Sequence, residues 1–163
     1  AIVHEWLGIN APIQQPLNMN PKRPIEGWAC TRSEVSGRRL WGLFRDRFET
    51  PERFFADHFV ANYCPLAFFD NGRNVTPDKL PGAEMAPVID ACDAHLRALV
   101  ALMQPEWVVG VGAYAQAQAV RALTTCTHRP QVGRVLHPSP ASPAANRGWA
   151  EAATKQLVEQ GIW

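Results

Sequence analysis

The sequence predicts an α/β protein in three layers, in which a short parallel β-sheet is covered by helices on both faces. From residue 51 onward, short apolar runs typical of strands alternate with longer stretches that repeat apolar residues at helical spacing. This alternation favours a parallel sheet, because each strand returns to the same edge through a crossover helix. The chain has 163 residues, of which 47% are hydrophobic, and this length suits one domain over residues 1–163.

The first third of the chain predicts few regular elements. Residues 1–50 are rich in Pro, Trp and Arg, and among them only TRSEVSGRRLWGLFRDRF (31–48) predicts a helix. Five apolar residues could share one face of that helix, and these are Val35, Leu40, Leu43, Phe44 and Phe48. The next segment, HFVANYCPLAFF (58–69), begins as a strand and breaks at Pro65, and GRNVTPDKLPG (72–82) is predicted to be a polar loop.

The remaining elements follow in alternation. AEMAPVIDACDAHLRALVALM (83–103) predicts a helix whose buried stripe comprises Val88, Ala91, Cys92, His95, Leu99 and Leu102. EWVVGVG (106–112) and VGRVL (132–136) predict buried strands, with a helix between them over AYAQAQAVRALTT (113–125). A last helix is predicted over residues 142–161, with Ser142 as its N-cap, Pro143 in its first turn and Gly161 at its end.

Composition limits the partners that this chain can have. The formal net charge is only +1, so any contact with nucleic acid has to be local. No apolar run approaches the ~20 residues that span a bilayer. Four cysteines are scattered without a C-x-x-C pair, at Cys30, Cys64, Cys92 and Cys126, which argues against a metal or iron–sulfur centre and favours reduced thiols. We therefore expect no metal, no cofactor and no membrane partner. We also expect an intracellular protein, in the cytoplasm or nucleoid if the source is bacterial and in the nucleus if it is eukaryotic, that acts as a monomer.

Polar residues follow the predicted strands, where ligands of open α/β sheets bind. Asn62 follows HFVA, Gly110-Val111-Gly112 closes WVVGVG, and His137 follows VGRVL. These three segments converge only if the sheet is parallel. Prolines stiffen the backbone in both NYCPL and HPSP. Ser139 and Ser142 precede a predicted helix, and the free N–H groups of a helix N-terminus suit a phosphate.

The segment VVGVGAYA also fits G-x-G-x-x-A, the dinucleotide-binding pattern between a strand and a helix. That fold places an acidic residue roughly 20 positions further on for the ribose, but THRPQVGRVL contains neither Asp nor Glu. Small residues that allow a tight strand-to-helix turn are the simpler interpretation. A dinucleotide-dependent enzyme remains an alternative.

Six segments together resemble the uracil-DNA glycosylases, and most closely their single-strand-selective monofunctional branch. They occur in the expected order and are PKRPIEG, SEVSGRRLWGLF, VANYCPLAFF, GRNVTPDKLP, VVGVG and HPSPASPAANRGW. The similarity covers nearly all of the 163 residues. A single segment is weak evidence by itself, since a motif such as HPSP is short. Six segments in the expected order are strong evidence.

The resemblance implies a DNA-repair enzyme with the three-layer fold of that family. Such an enzyme hydrolyses the N-glycosidic bond of uracil, and of 5-substituted uracils such as hydroxymethyluracil, in single- and double-stranded DNA. The base is flipped out of the stack, and an abasic site remains. By resemblance, His137 donates a hydrogen bond to the charge that develops on the departing base, and Asn62 reads the base edge. Pro138, Ser139, Ser142 and Arg147 are then expected to contact DNA.

The sequence departs from the family pattern in two places. The family's first motif, a Gly-Met-Asn-Pro-Gly type loop that positions the attacking water, is expected upstream of Ala1. The similar LNMNPK (17–22) follows no predicted strand, so we assign Asn20 no catalytic role. We therefore expect the sequence to be N-terminally truncated, to lack the first strand, and to be inactive alone.

Ala141 stands where the family has a bulky basic residue that fills the gap left by the flipped base, and Arg147 is a candidate for part of that role. A noncatalytic DNA-binding fragment is a further alternative.

Overall fold

The computed structural model describes residues 5–15, 17, 19–22 and 24–163 in two compact units. The first unit comprises the described residues up to Val60 together with Ala67–Lys79. The second comprises Ala61–Leu66 together with Leu80–Trp163. Both Asn62 and His137 lie in the second unit, and the single domain expected over residues 1–163 stays a prediction.

The first unit contains two helices and a short hairpin. Helix α1 covers Val35–Phe48 and helix α2 covers Pro51–Asp57. The carboxylate of Glu34 caps α1 by accepting from the backbone N–H groups of Ser36 and Gly37. Thr50 caps α2, and Pro51 fits its first turn, where no backbone donor is needed. The helix predicted over residues 31–48 is thus confirmed, and it begins where Glu34 satisfies the first free N–H groups.

An aromatic cluster forms the interior of the first unit. Phe54 of α2 is 1% exposed, and its ring lies 4.4 Å from that of Phe44 and 5.4 Å from that of Phe48, between centroids. The rings of Trp6 and Trp41 pack on the same residue. The predicted apolar face of α1 therefore packs on α2, at Phe44 and Phe48.

The segment predicted as a polar loop (72–82) instead supplies the second strand of a β-hairpin, and that part of the prediction was wrong. Strand β1 (Phe68–Asp70) pairs antiparallel with strand β2 (Arg73–Val75). Asn71 and Gly72 connect them, with φ of 47° and 77°. Asn-Gly tolerates positive φ at both positions, and it therefore closes a two-residue turn whose twist matches the strands.

The second unit is built on a parallel pair of strands, as predicted. Strand β3 (Trp107–Val111) pairs in parallel with strand β4 (Gln131–Val135), with Val108 opposite Val132. Helix α4 (Ala113–Ala122) and a 3₁₀ turn (Leu123–Thr125) form the crossover between them. A core of Val100, Ala119 and Leu123 packs beneath the sheet, so the carboxyl ends of β3 and β4 lie at one edge.

A third strand was expected over HFVAN (58–62), but the structure assigns no strand there. His58 and Val60 are half-buried, while Phe59 is 55% exposed, so the side chains alternate as a strand requires. Alternation sets only which side chains turn inward, whereas a strand also needs a neighbouring backbone to pair with. Within the described residues, Asn62 therefore lies on a loop.

Side chains of the last helix cover the edge of β4 that does not face β3. Helix α6 (Trp149–Glu159) supplies Gln156, whose side chain accepts from Leu136 N–H at 2.7 Å. Gln160 follows α6, accepts from Arg134 N–H and donates to Arg134 C=O, both at 2.9 Å. The indole of Trp149 donates to Leu136 C=O at 2.6 Å. These bonds replace a neighbouring strand and fix the backbone directly before His137.

Helix α3 (Gly82–Met103) confirms the predicted helix but not its buried stripe. Its buried residues are Met85, Cys92, Asp93 and Val100, whereas His95 is exposed and Leu102 is 81% exposed. Of the predicted stripe, only Cys92 is buried outright. The inner face includes Asp93. A prediction that assigns only apolar residues to the buried face of a helix does not include an acidic residue.

The last predicted helix is divided in two. Helix α5 covers Pro143–Asn146, with Ser142 as its N-cap, and α6 begins after Gly148, whose φ of 140° interrupts the helix. At the end of α6, Gly161 N–H donates to Val158 C=O and Ile162 N–H donates to Leu157 C=O, the Schellman arrangement that favours glycine. Both predicted termini are confirmed. No helix within the described ranges is long and apolar enough to cross a membrane.

Candidate functional site

His137 lies where the two parallel strands end. It follows β4 after one residue, Leu136, and packs on Gly112, which follows β3 directly. A Cβ atom added at Gly112 would lie 3.0 Å from His137 Cβ and 3.2 Å from His137 Cδ2. Gly112 N–H donates to Val135 C=O at 2.8 Å, which ties the two strand ends together. The convergence predicted for these two segments is therefore present.

The imidazole of His137 is held in one orientation by its own turn. Ser139 N–H donates to His137 Nδ1 at 3.1 Å. Because a backbone N–H can only donate, Nδ1 is the acceptor and the proton of the neutral ring lies on Nε2. The residue is exposed. The turn thus presents an oriented N–H donor to whatever binds beside it.

The turn that follows His137 is held by its own hydroxyl groups. Ser139 Oγ accepts from Ala141 N–H at 3.1 Å, and Ser142 Oγ accepts from Ala145 N–H at 3.3 Å. Pro138 is buried. One rigid turn beside the histidine therefore contains three of the residues predicted to contact DNA, and these are Pro138, Ser139 and Ser142. Ser139 and Ser142 have structural roles in it as well.

Gly112 is expected to resist substitution, because it has both a positive φ of 97° and the His137 ring against its α carbon. Gly112→Ala should lower the free energy of unfolding by roughly 1–2 kcal/mol from backbone strain, before any clash with His137 is counted. Urea unfolding measures this. Gly82→Ala is the matched control, because a Cβ there meets nothing within 4 Å. Equal effects of both variants would contradict the close packing of Gly112 and His137.

The other glycine of the G-x-G-x-x-A pattern has a packing role. A Cβ atom at Gly110 would lie 2.3 Å from Gln116 N and 2.6 Å from its Cα, so α4 crosses β3 too closely for any side chain. This agrees with the tight-turn interpretation of the segment, in which neither glycine is required for a cofactor. Among the described residues, no group of three His, Cys, Asp or Glu side chains is placed to hold a metal ion.

Asn62 is exposed on a loop of the second unit, and its neighbour Tyr63 anchors that loop. Tyr63 Oη donates to Asp93 Oδ1 of α3 at 2.6 Å. Arg121 of α4 binds the same carboxylate through both terminal nitrogens, with Nη2 at 2.8 Å from Oδ1, and donates to Tyr63 Oη at 3.0 Å. Asp93 is 5% exposed, and a buried carboxylate requires partners of this kind.

Two members of this network keep a single protonation state at neutral pH. Burial raises the pKa of Tyr63 well above its ordinary value, and the hydrogen bond to Asp93 raises it further. The hydrogen bond with Asp93 also raises the pKa of Arg121. Tyr63 is therefore a neutral donor and Arg121 a cation throughout the physiological range.

An aromatic contact connects the Asn62 loop to α4. The ring of Tyr63 meets that of Tyr114 edge-on, with centroids 6.2 Å apart. Tyr114 lies in the first turn of α4, two residues after Gly112, and Gly112 contacts His137. The loop that carries Asn62 is therefore held against the helix that begins where β3 ends.

The other residues singled out from the sequence have local settings. Ala141 and Arg147 are exposed, in the turn and at the end of α5 respectively. Asn20 belongs to the first unit, and its Oδ1 accepts from Lys22 N–H at 3.0 Å. That bond is a local turn interaction of a type common for asparagine. The absence of a catalytic role for Asn20 stays a prediction.

Sequence reasoning missed Tyr63, Asp93 and Arg121. The one available sign was an acidic residue next to Cys92, in a helix whose neighbouring positions are apolar. A buried acid of this kind needs a cationic partner, but the chain has sixteen Lys and Arg residues. Nothing local selects Arg121, which lies 28 positions further along.

Cys92 is expected to make the protein sensitive to alkali. Burial, with Cys64 beside it, raises the pKa of the Cys92 thiol from its ordinary value near 9 to about 11. The unfolded chain then loses this proton first, so the stability present below pH 9 falls as the pH rises toward 11. Cys92→Ser should remove that part of the loss in urea unfolding at pH 8 and 10.5, and Cys30→Ser, at an exposed cysteine, should not. An unchanged pH dependence in Cys92→Ser would contradict this.

Comparisons with known proteins identify the family of the chain. The model of the uracil DNA glycosylase superfamily matches residues 19–159. A single-strand selective monofunctional uracil DNA glycosylase of Bos taurus is 44% identical over 163 residues, which cover 99% of this chain and 60% of the relative. The proteins of the same name in Mus musculus and Rattus norvegicus are 45% and 46% identical over 162 residues, which cover 58% of each. The chain thus spans about 60% of the length of these relatives.

Proposed function

The chain belongs to the uracil-DNA glycosylase superfamily, and from that membership we propose that the whole protein excises uracil from DNA as a monofunctional glycosylase. The bond broken is the N-glycosidic bond between uracil and deoxyribose. The base leaves with the bonding electron pair, water adds to the sugar carbon and gives up a proton, the uracil anion takes up a proton in turn, and an abasic site remains. We extend the proposal to 5-substituted uracils such as hydroxymethyluracil, and to single- and double-stranded DNA. The protein is proposed to act inside the cell as a monomer.

The oriented N–H of His137 is the single observation that carries this proposal. As the glycosidic bond breaks, negative charge develops on the uracil ring. A donor already fixed beside that ring stabilises the charge without reorganising, and one such donor typically contributes several kcal/mol. His137 has this property because Ser139 N–H occupies its Nδ1, which leaves the proton on Nε2.

Asn62 supplies selection of the base in this proposal. Its amide oxygen accepts from uracil N3–H, and its amide nitrogen donates to uracil O4. Cytosine presents an acceptor and an amino group at the same positions, so both contacts become repulsive. A buried polar group left unpaired costs about 1–3 kcal/mol, which makes one amide an effective discriminator.

The turn from Pro138 to Ser142 and the nearby Arg147 are proposed to contact the DNA backbone. The net charge of +1 leaves no broad basic surface for the whole duplex, so these contacts are local. Binding should therefore depend on salt only modestly, since the slope follows the number of phosphates neutralised.

The test is release of uracil from an end-labelled oligonucleotide that carries one deoxyuridine. The intact protein should release the base and leave a strand that breaks only after treatment with alkali. Breakage without alkali would contradict a monofunctional mechanism. Binding without release would favour the noncatalytic DNA-binding alternative.

Ala141 is expected to limit activity on duplex DNA, because a methyl group cannot fill the gap that a flipped base leaves. Ala141→Arg should raise excision from duplex more than from single strands, by about threefold to tenfold, since unpairing costs a few kcal/mol in duplex only. Ala101→Arg is the charge-matched control. Ala101 lies in the last turn of α3, ahead of β3, and so at the opposite end of the strands from His137. A duplex-to-single-strand ratio equal to that of the unmodified protein would contradict the prediction.

A further inference from the structure

We propose that Tyr63, Asp93 and Arg121 form a positioning network that sets the orientation of Asn62 and thereby the selection of uracil. The inference rests on the proposed function, since it concerns how the base-reading amide is held. Neither Asp93 nor Arg121 would touch the substrate. Both act through Tyr63, the residue next to Asn62.

The network has the geometry of a rigid support. Asp93 is buried and accepts hydrogen bonds on both carboxylate oxygens, from Tyr63 Oη and from two nitrogens of Arg121. Arg121 Nη2 also donates to Gln118 Oε1 at 2.7 Å. Charge-assisted bonds with a planar guanidinium fix direction as well as distance. The position of Tyr63 Oη is therefore determined from two helices, α3 and α4.

Asn62 has no comparable support of its own. It is exposed, and its side chain makes no hydrogen bond or ion pair with any other residue that the structure describes, so its direction follows from its backbone. That backbone is bounded by Tyr63, whose hydroxyl and ring are both held. A base-reading amide has to lie within about 0.5 Å of its productive position. The anchor at Tyr63 is the nearest contact able to impose that limit.

Tyr63→Phe isolates the effect. The ring contact with Tyr114 is retained, and Asp93 keeps both bonds to Arg121, so the network survives and only its connection to the loop is lost. We expect kcat/KM for uracil excision from a single-stranded oligonucleotide to fall about tenfold, within the range of coupled neighbours. Affinity for DNA that already contains an abasic site should change less than twofold, because no base is left for Asn62 to read.

A double-mutant cycle with Asn62→Ala separates positioning from general support. If Tyr63 acts through Asn62, Tyr63→Phe lowers kcat/KM in the intact protein but has no further effect in the Asn62→Ala background. Gln118→Leu is the control, since it removes a bond of Arg121 and leaves the connection of Asp93 to Tyr63 intact; it should have little effect in either background.

The possible failures are distinguishable. The same loss from Tyr63→Phe in both backgrounds would overturn the positioning role while leaving the proposed function in place. No loss in either background would do the same. Absence of uracil release by the unmodified protein would overturn the proposed function and this inference with it.

Discussion

His137→Ala is expected to lower the rate of uracil excision about 10²–10³-fold, the usual cost of one donor that acts on developing charge. The donor is of most use when the glycosidic bond is breaking, because the ring then carries charge that the intact nucleotide lacks. Binding of uncleaved DNA should therefore change little, and the loss should appear in kcat. Single-turnover kinetics measures the rate, and fluorescence anisotropy with a uracil-containing oligonucleotide measures the affinity.

Two variants sharpen this test. His95→Ala removes another exposed histidine, on α3, and should leave the rate unchanged. Ser139→Pro removes the N–H that holds Nδ1 of His137, so it should lower the rate although the imidazole is still present. Equal losses of rate and affinity in His137→Ala would contradict a role specific to the transition state and would indicate a structural histidine.

The location of this histidine was predictable because it depends on strand order alone. VGRVL and WVVGVG are continuous apolar runs joined by a helix-forming segment, and that pattern requires parallel strands with a common carboxyl edge. His137 follows the first run directly and Gly112 closes the second, so their proximity needed no knowledge of side-chain packing. The caps at Ser142 and Gly161 were equally local, since each depends on residues within one turn.

Features that depend on distant partners could not be predicted in the same way. HFVAN has the alternation of a strand, yet pairing is decided by which backbone lies alongside it, and the sequence does not specify that locally. The hairpin at Asn71-Gly72 was overlooked for a different reason. Asn-Gly is a known hairpin turn, but the flanking residues Asp70 and Arg73 are polar. The short segments on either side of the turn therefore lacked the apolar pattern that predicts a strand.

The anchor of Asn62 was the least predictable part of the site. It joins positions 63, 93 and 121 on three separate elements, and a buried acid in one helix does not indicate which arginine will pair with it. Sequence reasoning proposed Asn62 as a candidate, from its place after an apolar run near Pro65 and from the family resemblance. How its direction is fixed is a property of the folded unit only.

Asn62→Asp is expected to lower uracil excision about 10²-fold and to raise the ratio of cytosine to uracil excision. An ionised carboxylate cannot donate to uracil O4, and it places a negative charge beside that oxygen, so one favourable contact becomes repulsive. The two side chains are nearly equal in size, so a loss of this kind reports on hydrogen bonding and not on packing.

The pH dependence of this variant gives the sharper result. A protonated carboxyl offers one donor and one acceptor, and it can present the acceptor to the amino group of cytosine and the donor to its ring nitrogen. That form increases as the pH falls toward about 4, the ordinary pKa of an aspartate side chain. Relative cytosine excision by Asn62→Asp should therefore rise from pH 8 to pH 5, as measured on matched oligonucleotides carrying one deoxyuridine or one deoxycytidine. The unmodified protein should show no such trend, because an amide does not titrate in this range. Uracil excision by the variant equal to that of the unmodified protein would mean that another residue reads the base, and the positioning role of Tyr63 would then have no amide to act on.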